Sequence, residues 1–298
     1  MTRRTPDGGG RMLLGAHIGI GAGYDAAVAY ARDVGCECIQ AFAKNPRAWH
    51  GATLDADAAA SFAVARRREG IGPLFVHTSY LINLCSRDDV MWERSWHALA
   101  DELVRGTVLE AQAVVTHLGT DPAKDAPAAA VRIADAVERA AASAAETLHR
   151  PPVRLLLENT AGAGTTFGSG PMDLGAVLSR VDAGLGTGVC IDSCHLHASG
   201  TDLSTAEGWH GTLDAFEESC GVGAIGLVHA NDSLFPAGSS RDRHAWIGDG
   251  TIGLGGFRAM VCEPRLADVP AVVEMPGEAP VKDAENLRRL KSLRESCA

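Results

Sequence analysis

The chain has 298 residues, 46% of them hydrophobic, which is enough to bury a large core. An α/β barrel of this length is commonly a single domain. No apolar run reaches the roughly 18 residues that a membrane-spanning helix needs. The 27 basic and 37 acidic residues give a net charge of −10, which by itself argues against a nucleic-acid partner. Three bound divalent cations would reduce this charge to −4 and concentrate positive charge at one place.

The N-terminal segment has two features of a secretion signal, a twin arginine and an apolar stretch after it. The stretch is short, is interrupted at Gly15 and His17, and is needed as the first strand of the predicted fold. We therefore expect residues 1–10 to form a disordered tail and residues 11–298 to form one domain. The protein is expected in the cytoplasm and not outside the cell.

In a chain this long, eight cysteines do not indicate a disulfide framework. They are Cys36, Cys38, Cys85, Cys190, Cys194, Cys220, Cys262 and Cys297. Neither the CxC pair nor the CxxxC pair has a second pair at the spacing of a zinc ribbon. The cysteines are therefore predicted to be reduced thiols, most of them filling the core.

Eight short apolar runs rich in Val, Ile and Leu recur along the chain and predict strands. In chain order they are RMLLGAH, CECIQAFAKN, GPLFVHTSY, AQAVVTHLG, VRLLLENTAG, GVCIDSCH, AIGLVHAND and PAVVEMPG. Helical spacing lies between them, most clearly over residues 125–148, and also over 54–69, 87–106 and 281–295. Eight repeats of strand and helix predict a parallel sheet closed into a (β/α)₈ TIM barrel. A doubly wound open sheet is the main alternative.

Polar side chains stand where most of these apolar runs end. The run in GVCIDSCHLHASGTD, residues 188–202, ends at Asp192, and His195 follows three residues later. Such groups are costly to bury unless they are paired or bound to a metal. Six other runs end at His17, His77, His117, Glu158, His229 and Glu274. In a parallel barrel all these ends meet at one face, which is where active sites lie.

Asp242 and His244 belong to the same predicted ring, because an i, i+2 spacing in extended chain puts both side chains on one face. Apart from His17, the ring then offers five histidines and four carboxylates. One zinc takes three or four protein ligands, so nine such groups suit two or three ions with a bridging carboxylate. The mixture favours Zn²⁺, with Mn²⁺ or Fe as alternatives. A single buried histidine is more often a hydrogen-bonded core residue, so the convergence of nine groups carries the prediction.

Clustered divalent ions suit one reaction especially well. They polarise a phosphodiester, lower the pKa of a bound water and stabilise the departing oxygen. Four carboxylates contribute −4 and three ions +6, so the pocket would carry a net charge of +2. A phosphate ester is the ligand that such a pocket favours.

Eight segments spread along the chain carry distinctive motifs. They are GAHIG, FAKNPRAW, HTSYLINL, LENTAGAG, VCIDSCHLHASGTD, HANDS, DRHAWIGDGTIG and VVEMPG. Together they resemble the endonuclease IV (deoxyribonuclease IV) family of apurinic/apyrimidinic (AP) DNA repair enzymes. The resemblance keeps the same order over residues 13–293, and SYLINL, ENTAG and the Asp-x-x-Cys-His run are not generic barrel sequence.

The resemblance implies a zinc-dependent hydrolase of base excision repair. Such an enzyme cleaves double-stranded DNA 5′ to an abasic site and leaves a 3′-hydroxyl and a 5′-deoxyribose phosphate. It further implies a TIM barrel with three zinc ions at its mouth and a location with the bacterial nucleoid, and a monomer is the default expectation.

Carried over by motif, the metal ligands fall into three groups, two of which share Glu158 as a bridge. The groups are His77, His117 and Glu158; Glu158, Asp192, His229 and Glu274; and His195, Asp242 and His244. The resemblance also implies a metal-bridging hydroxide as the nucleophile and Glu158 and Glu274 as the catalytic carboxylates, with Glu274 helping to position that hydroxide. His17 and Asn231 are expected to orient ligands, with an ordinary buried polar role as an equal alternative.

By the same resemblance, Arg47, Tyr80 and Leu81 form a wedge that fills the gap left when the abasic nucleotide is flipped out. Arg can bind phosphate and stack on a base. The apolar surfaces of Tyr80 and Leu81 replace the stacking that is lost, and flipping a nucleotide out of the duplex costs least where its base is missing. The alternatives are that Tyr80 and Leu81 cap the barrel and that Arg47 makes a surface ion pair. Trp49 is equally open between the core and a DNA contact.

The chain departs from the family pattern at Thr78, Leu118 and Leu234, where Asp, Pro and Lys are common, and at MPGE after the last glutamate. All nine ligand types are present, but the missing lysine weakens the case for tight DNA contact. The main functional alternative is a sugar isomerase or epimerase of the xylose isomerase-like barrels, which needs fewer ligands. A barrel that binds damaged DNA without cutting it is another.

Overall fold

The computed structural model describes residues 10–297. Except for Gly10, the predicted N-terminal tail lies outside the described residues. Each of the eight predicted strands is present, and each predicted helix is found within a few residues of its expected bounds.

Eight parallel strands close into a barrel. They are β1 (Leu14–His17), β2 (Cys38–Phe42), β3 (Leu74–His77), β4 (Ala113–Thr116), β5 (Arg154–Glu158), β6 (Gly188–Asp192), β7 (Ile225–His229) and β10 (Ala271–Val273). A short antiparallel hairpin of β8 (Asp232–Ser233) and β9 (His244–Ala245) stands between the last two. The order around the barrel is β1-β10-β7-β6-β5-β4-β3-β2. The TIM barrel is therefore confirmed, and the open sheet is excluded because β10 closes onto β1.

Nine α-helices surround the barrel within residues 10–297. They are α1 (Tyr24–Asp33), α2 (Ala56–Arg68), α3 (Asp89–Val108), α4 (Ala126–Leu148), α5 (Pro171–Leu178), α6 (Ser193–Ser199), α7 (Ala206–Cys220), α8 (Gly253–Cys262) and α9 (Val281–Glu295). Four of them begin after an aspartate, Asp55, Asp88, Asp125 or Asp192, whose side chain accepts hydrogen bonds from the first free backbone N–H groups. No helix of this part of the chain is long and apolar enough to cross a membrane.

The core has two layers, one inside the barrel and one between the strands and the helices. The inner layer is a small cluster of buried side chains. It contains Cys38, Phe75, Ala113, Val115, Leu156, Cys190, Leu227 and Val272. Successive strand residues face opposite sides, so the residue two positions later on each strand faces the barrel interior again, one layer nearer the mouth. Those positions are where the ligand-type side chains stand.

The structure corrects one expectation about the cysteines. Cys262, the last residue of α8, and Cys297, after α9, form a disulfide across a sequence separation of 35 residues. The other six cysteines are free, and five of them are buried, as predicted. The pairing depends on the packing of α8 against α9, which no local spacing of cysteines reveals.

Removal of this disulfide is expected to lower the free energy of unfolding by up to about 4 kcal/mol, because a crosslink of this span restricts the unfolded chain. Chemical denaturation of Cys297→Ser against the wild type, without reductant, measures the loss. Cys220→Ser, at a free and half-buried cysteine, is the matched control and should stay near the wild type. Equal stability of all three proteins would contradict the crosslink.

Candidate metal centre

The first group of ligand-type side chains stands at the ends of β3, β4 and β5. His77 Nε2 lies 3.1 Å from Glu158 Oε2, and His117 Nε2 lies 3.6 Å from the same oxygen. His77 and Glu158 are buried, whereas His117 is partly open to the mouth. The three side chains offer ligand atoms within 4.8 Å of one another, which is close enough to share an ion.

The second group uses the other oxygen of Glu158. His229 Nδ1 lies 3.1 Å from Glu158 Oε1, 3.3 Å from Glu274 Oε2 and 3.8 Å from Asp192 Oδ2. Glu158, Asp192 and His229 meet the same 4.8 Å limit. Glu158 therefore stands between the first and second groups, as a bridging carboxylate must.

The third group depends on the hairpin of β8 and β9. His244 begins its second strand, Asp242 lies two residues earlier in the connecting loop, and His195 is supplied by α6, which begins directly after Asp192. His195 Nε2 lies 3.2 Å from Asp242 Oδ2, and His244 Nε2 lies 3.3 Å from Asp242 Oδ1. Cys194 also falls within ligand distance of Asp242 and His244, although burial raises the pKa of its thiol to about 12.

A buried aspartate that the sequence analysis missed holds the loop beyond this hairpin. Asp232 accepts hydrogen bonds from the backbone N–H groups of Gly248, Gly250 and Ile252 at 2.9, 3.1 and 3.0 Å. One carboxylate therefore pins the glycine-rich loop to β8 of the hairpin that carries His244. The Asn-Asp pair in HANDS was the available signal, but only its asparagine was singled out.

In three of the histidines, a hydrogen bond on the ring nitrogen that points away from the site fixes the other nitrogen towards the site. His77, His195 and His244 each place Nδ1 against a backbone carbonyl oxygen, of Thr78, Asn159 and Glu274 respectively. An Nδ1–H that donates to a carbonyl leaves Nε2 to face the site with its lone pair. Such acceptors are the usual partners of metal-binding histidines, so the arrangement fits metal binding.

Gln40, on β2, does the same for His229 and is a residue that the sequence analysis missed. Its Nε2 donates to Glu274 Oε1 at 2.7 Å, so its Oε1 is the atom that accepts from His229 Nε2 at 2.9 Å. His229 therefore presents Nδ1 to the second group. Gln40 lies in the middle of its apolar run, whereas the polar residues of the other runs stand where the run ends. The sequence pattern therefore gave no sign of this role.

His17 and Asn231 both contact Glu274, as an orienting role requires. His17 Nδ1 lies 3.1 Å from Glu274 Oε1. Asn231 Nδ2 donates to Glu274 Oε2 at 3.2 Å and to Asp192 Oδ2 at 2.7 Å, while its Oδ1 accepts from the Glu274 backbone N–H. Each carboxylate oxygen of Glu274 is therefore held in place from outside the three groups.

Burial and charge oppose each other throughout the centre. Burial favours the neutral imidazole, and it lowers the pKa of His117 to about 4. At His195 and His244 burial is outweighed by neighbouring carboxylates, which raise the pKa of His195 well above its usual value and that of His244 to about 9. Burial raises the pKa of Asp192. Carboxylates held this deeply need a cation beside them, and either protons or metal ions can supply it.

The chemistry of the nine donors fits divalent metals. They are imidazole nitrogens and carboxylate oxygens, the set that suits zinc and its neighbours. The buried His244 Nε2 has no hydrogen-bond partner among the described residues, although it points at Asp242 and Asp192. An unpartnered ring nitrogen that faces two carboxylates is the arrangement expected of a metal ligand.

The residues of the predicted wedge stand beside the metal-type groups. Tyr80 is 61% exposed, and Tyr80 and Leu81 line a cavity that His117, His195 and Asp242 also line. Arg47 is exposed on the loop after β2, and within residues 10–297 no carboxylate lies at ion-pair distance from it. The Tyr80 ring also packs edge-on against Phe42, with the ring centroids 5.4 Å apart, so it covers part of the barrel mouth while its other side faces solvent.

Trp49 is half-buried. It packs against the main core on one side, and the Arg94 guanidinium lies 4.2 Å from the centre of its ring. The structure therefore gives Trp49 a packing role, and its open face is already covered by a cation.

A backbone hydrogen bond and packing account for two of the four departures from the family pattern, Thr78 and Leu118. The backbone carbonyl of Thr78, not its side chain, meets His77, so this position can vary without disturbing the ligand. Leu118 is fully buried and packs against Gly168, where a side chain would collide with it. Leu234 is 57% exposed on the hairpin, and the exposed Arg241 and Arg243 on the same hairpin supply positive charge that the missing lysine does not.

Fold and site together define a xylose isomerase-like TIM barrel whose mouth gathers groups of side chains that could hold metal. A family model described as xylose isomerase-like TIM barrel matches residues 28–294.

Sequence comparison with known proteins assigns the chain to one family within this class. The chain is 37% identical over 282 residues to a probable endonuclease 4 of Methanoculleus marisnigri, covering 95% of this chain and 99% of that protein. It is 38% identical over 281 residues to a probable endonuclease 4 of Chloroflexus aurantiacus, covering 94% and 97%. The chain belongs to the endonuclease IV family.

Solved structures agree with this assignment. The crystal structure of endonuclease IV from Thermus thermophilus matches with a TM-score of 0.82 and 34% identity, covering 95% of this chain and 99% of that one. The structure of a D-tagatose 3-epimerase-like protein matches with a TM-score of 0.72 but only 16% identity, covering 96% and 98%. At that identity the second match shows a shared fold alone.

The metal-free protein is expected to lose stability as the pH rises from about 6.5 through about 9. His244 has its pKa raised to about 9 in the folded protein, so its charged interactions are fully present below the unfolded value near 6.5 and vanish above 9. Zinc affinity should rise over the same window, because the proton competes with the ion.

Denaturation of chelator-treated protein between about pH 6 and pH 10 measures this loss, and calorimetric zinc titration measures the affinity. His244→Gln is the matched variant and should flatten the fall in stability. A wild-type stability that does not change across this window would contradict the assignment.

Proposed function

We propose that the protein is a metal-dependent AP endonuclease that hydrolyses DNA 5′ to an abasic site. The products are a 3′-hydroxyl and a 5′-deoxyribose phosphate. One observation carries the proposal: nine imidazoles and carboxylates, in three adjoining groups of which two share Glu158, meet at one mouth beside an open cavity in a member of the endonuclease IV family.

We propose three zinc ions, one for each group, with Mn²⁺ or Fe as substitutes in part. When bound, such ions polarise the phosphodiester, lower the pKa of water and stabilise the leaving oxygen. The first would be held by His77, His117 and Glu158, and the third by His195, Asp242 and His244. The second would be held by Glu158, Asp192, His229 and Glu274.

The chain itself orders the reacting groups. Glu274, fixed on both oxygens by His17, Gln40 and Asn231, would hold the attacking water in line with the phosphorus. Such fixed geometry lowers the barrier because the groups need no reorganisation during the reaction.

The exposed wedge completes the proposed DNA site. Arg47, Tyr80 and Leu81 would occupy the gap in the duplex and so keep the abasic sugar in the cavity beside His117. A nucleotide that carries a base has to break stacking and pairing before it can leave the helix, so an abasic site is preferred.

A sugar isomerase or epimerase remains the rival of a different class, supported by the shared fold of the epimerase-like structure. That chemistry uses one or two metals to move a proton beside a carbonyl. The third group, built from His195, Asp242 and His244, has no part in it.

A duplex with a single tetrahydrofuran abasic analogue tests the proposal directly. This analogue cannot undergo β-elimination, so a nick that leaves a 3′-hydroxyl requires hydrolysis. The metal-loaded protein should nick it 5′ to the analogue and leave an undamaged duplex intact. If the duplex stays intact although elemental analysis shows that the protein is fully loaded with metal, the proposed nuclease activity is refuted.

Glu274→Gln is expected to lower kcat on the abasic duplex by about 100-fold or more, because the neutral amide no longer acts on the attacking water. The fold should survive, since the amide can still contact Asn231 and its neighbours. Single-turnover incision rates with circular dichroism measure both, and Glu146→Gln, on an exposed face of α4, is the control. Near-normal turnover would remove Glu274 from the mechanism.

Tyr80→Ala is expected to weaken binding of the abasic duplex about tenfold, because a stacked aromatic ring contributes about 1–3 kcal/mol. Zinc content should not change. Fluorescence anisotropy with labelled duplex measures the dissociation constant, and Tyr80→Phe, which retains the ring, should bind normally. Unchanged binding by the alanine variant would show that Tyr80 only covers the barrel.

A further inference from the structure

A buried cluster of charges lies outside the candidate metal centre. Lys44, just after β2, places Nζ 3.3 Å from Glu102 Oε1 on α3, with 2% of the lysine side chain and none of the glutamate side chain exposed. Asp101 supplies a second carboxylate 2.8 Å from the same Nζ, and Arg105 contacts Asp101 at 2.9 Å. These four residues are called the Lys44 cluster below.

The Lys44 cluster is a poor device for stability. Removing two charges from water offsets much of their attraction, so apolar side chains of similar volume can serve as well or better. The buried Glu102 Oε2 has no hydrogen-bond partner among the described residues. A pair with this cost is better explained by the geometry that it imposes.

That geometry concerns two loops at the mouth of the barrel. Lys44 Nζ also donates to the carbonyl oxygen of Trp49 at 3.1 Å, which closes the loop after β2 on itself. Glu102 Oε1 also accepts from the backbone N–H of Ser79, in the loop after β3, at 3.2 Å. One charged contact on α3 therefore holds both loops.

The same two loops are bonded to each other. Ser79 Oγ donates to the carbonyl oxygen of Pro46 at 2.8 Å, and the backbone N–H of Tyr80 donates to that oxygen at 3.1 Å. Arg47 and Leu81 are the next residues along the two loops. A shift of Lys44 would therefore be passed on to the whole wedge.

We propose that Lys44 and Glu102 are positioning residues that fix the loop after β2 against the loop after β3, and so fit the wedge to an abasic site. The proposal rests on the proposed function, because the wedge acts only on a DNA substrate. On this proposal the buried ion pair, and not the exposed wedge itself, fixes the position of the wedge residues.

Lys44→Met, which removes the charge and keeps an apolar stem, tests this role. We expect KM for the tetrahydrofuran duplex to rise about tenfold while kcat stays within about twofold, because the loss falls on binding. Zinc per chain should be unchanged. In the free protein, backbone amides of residues 45–50 and 79–83 should exchange with deuterium at least about tenfold faster.

Two further variants make the test specific. Glu102→Gln keeps the shape and the acceptor for Ser79 but removes the charge, and it should raise KM in the same way if Lys44→Met does not fold. Arg67→Met breaks an exposed ion pair with Glu110, at 2.6 Å and with both side chains about half exposed, and it should change neither KM nor exchange.

Unaltered KM and unaltered exchange in both cluster variants would overturn the proposal. A loss of zinc that parallels the loss of activity would also overturn it, because the cluster would then act through the metal centre and not through the wedge. If the wild type neither binds nor cuts the abasic duplex, the proposed function fails. Deuterium exchange is measured without DNA, so slow exchange that persists in Lys44→Met would still overturn the positioning role.

Discussion

The alternation of side chains along the barrel strands is the constraint on which the whole site depends. Residues two positions apart face the same side of a strand, so a strand that fills the interior also aims its last residue at the mouth. Leu156 fills the interior and Glu158 follows it towards the mouth, and Cys190 and Asp192 repeat the pattern. Closure of the sheet then brings the ends of distant segments together. An insertion of one residue in such a strand would turn its ligand towards the helices.

Alternation delivers the side chains, and hydrogen bonds from outside then fix their orientation. Three histidines give Nδ1 to a backbone carbonyl, and His229 gives Nε2 to Gln40. Two of these carbonyls belong to the residue that follows a ligand, Thr78 after His77 and Asn159 after Glu158. The backbone that ends a strand therefore also orients a ring, and much of the ordering required for metal binding is complete in the folded chain.

Sequence alone predicted the barrel, its eight strands and four of its helices, α2, α3, α4 and α9, because each apolar run is short and these helices have a clear period. It also named the nine side chains that the structure brings together, since each ends a strand or resembles a family motif. Gln40 escaped notice because a polar residue in mid-strand has no local signature, and its partners lie far away in sequence. The disulfide of Cys262 and the Lys44 cluster were missed for the same reason. They arise from the packing of α8 on α9 and of α3 on two loops, which no pattern of neighbouring residues encodes.

Glu158 presents one oxygen to His77 and the other to His229. Cations seated on either side of it would therefore not be independent occupants. The arrival of one changes the charge and the orientation that the other encounters, and thermodynamic linkage makes this influence mutual. A chelator would not strip them away one after another at fixed strengths. Measured affinities would describe the ions together and not each ion separately. A partly loaded centre would differ from a full one in charge and in ligand orientation, and not only in the number of ions.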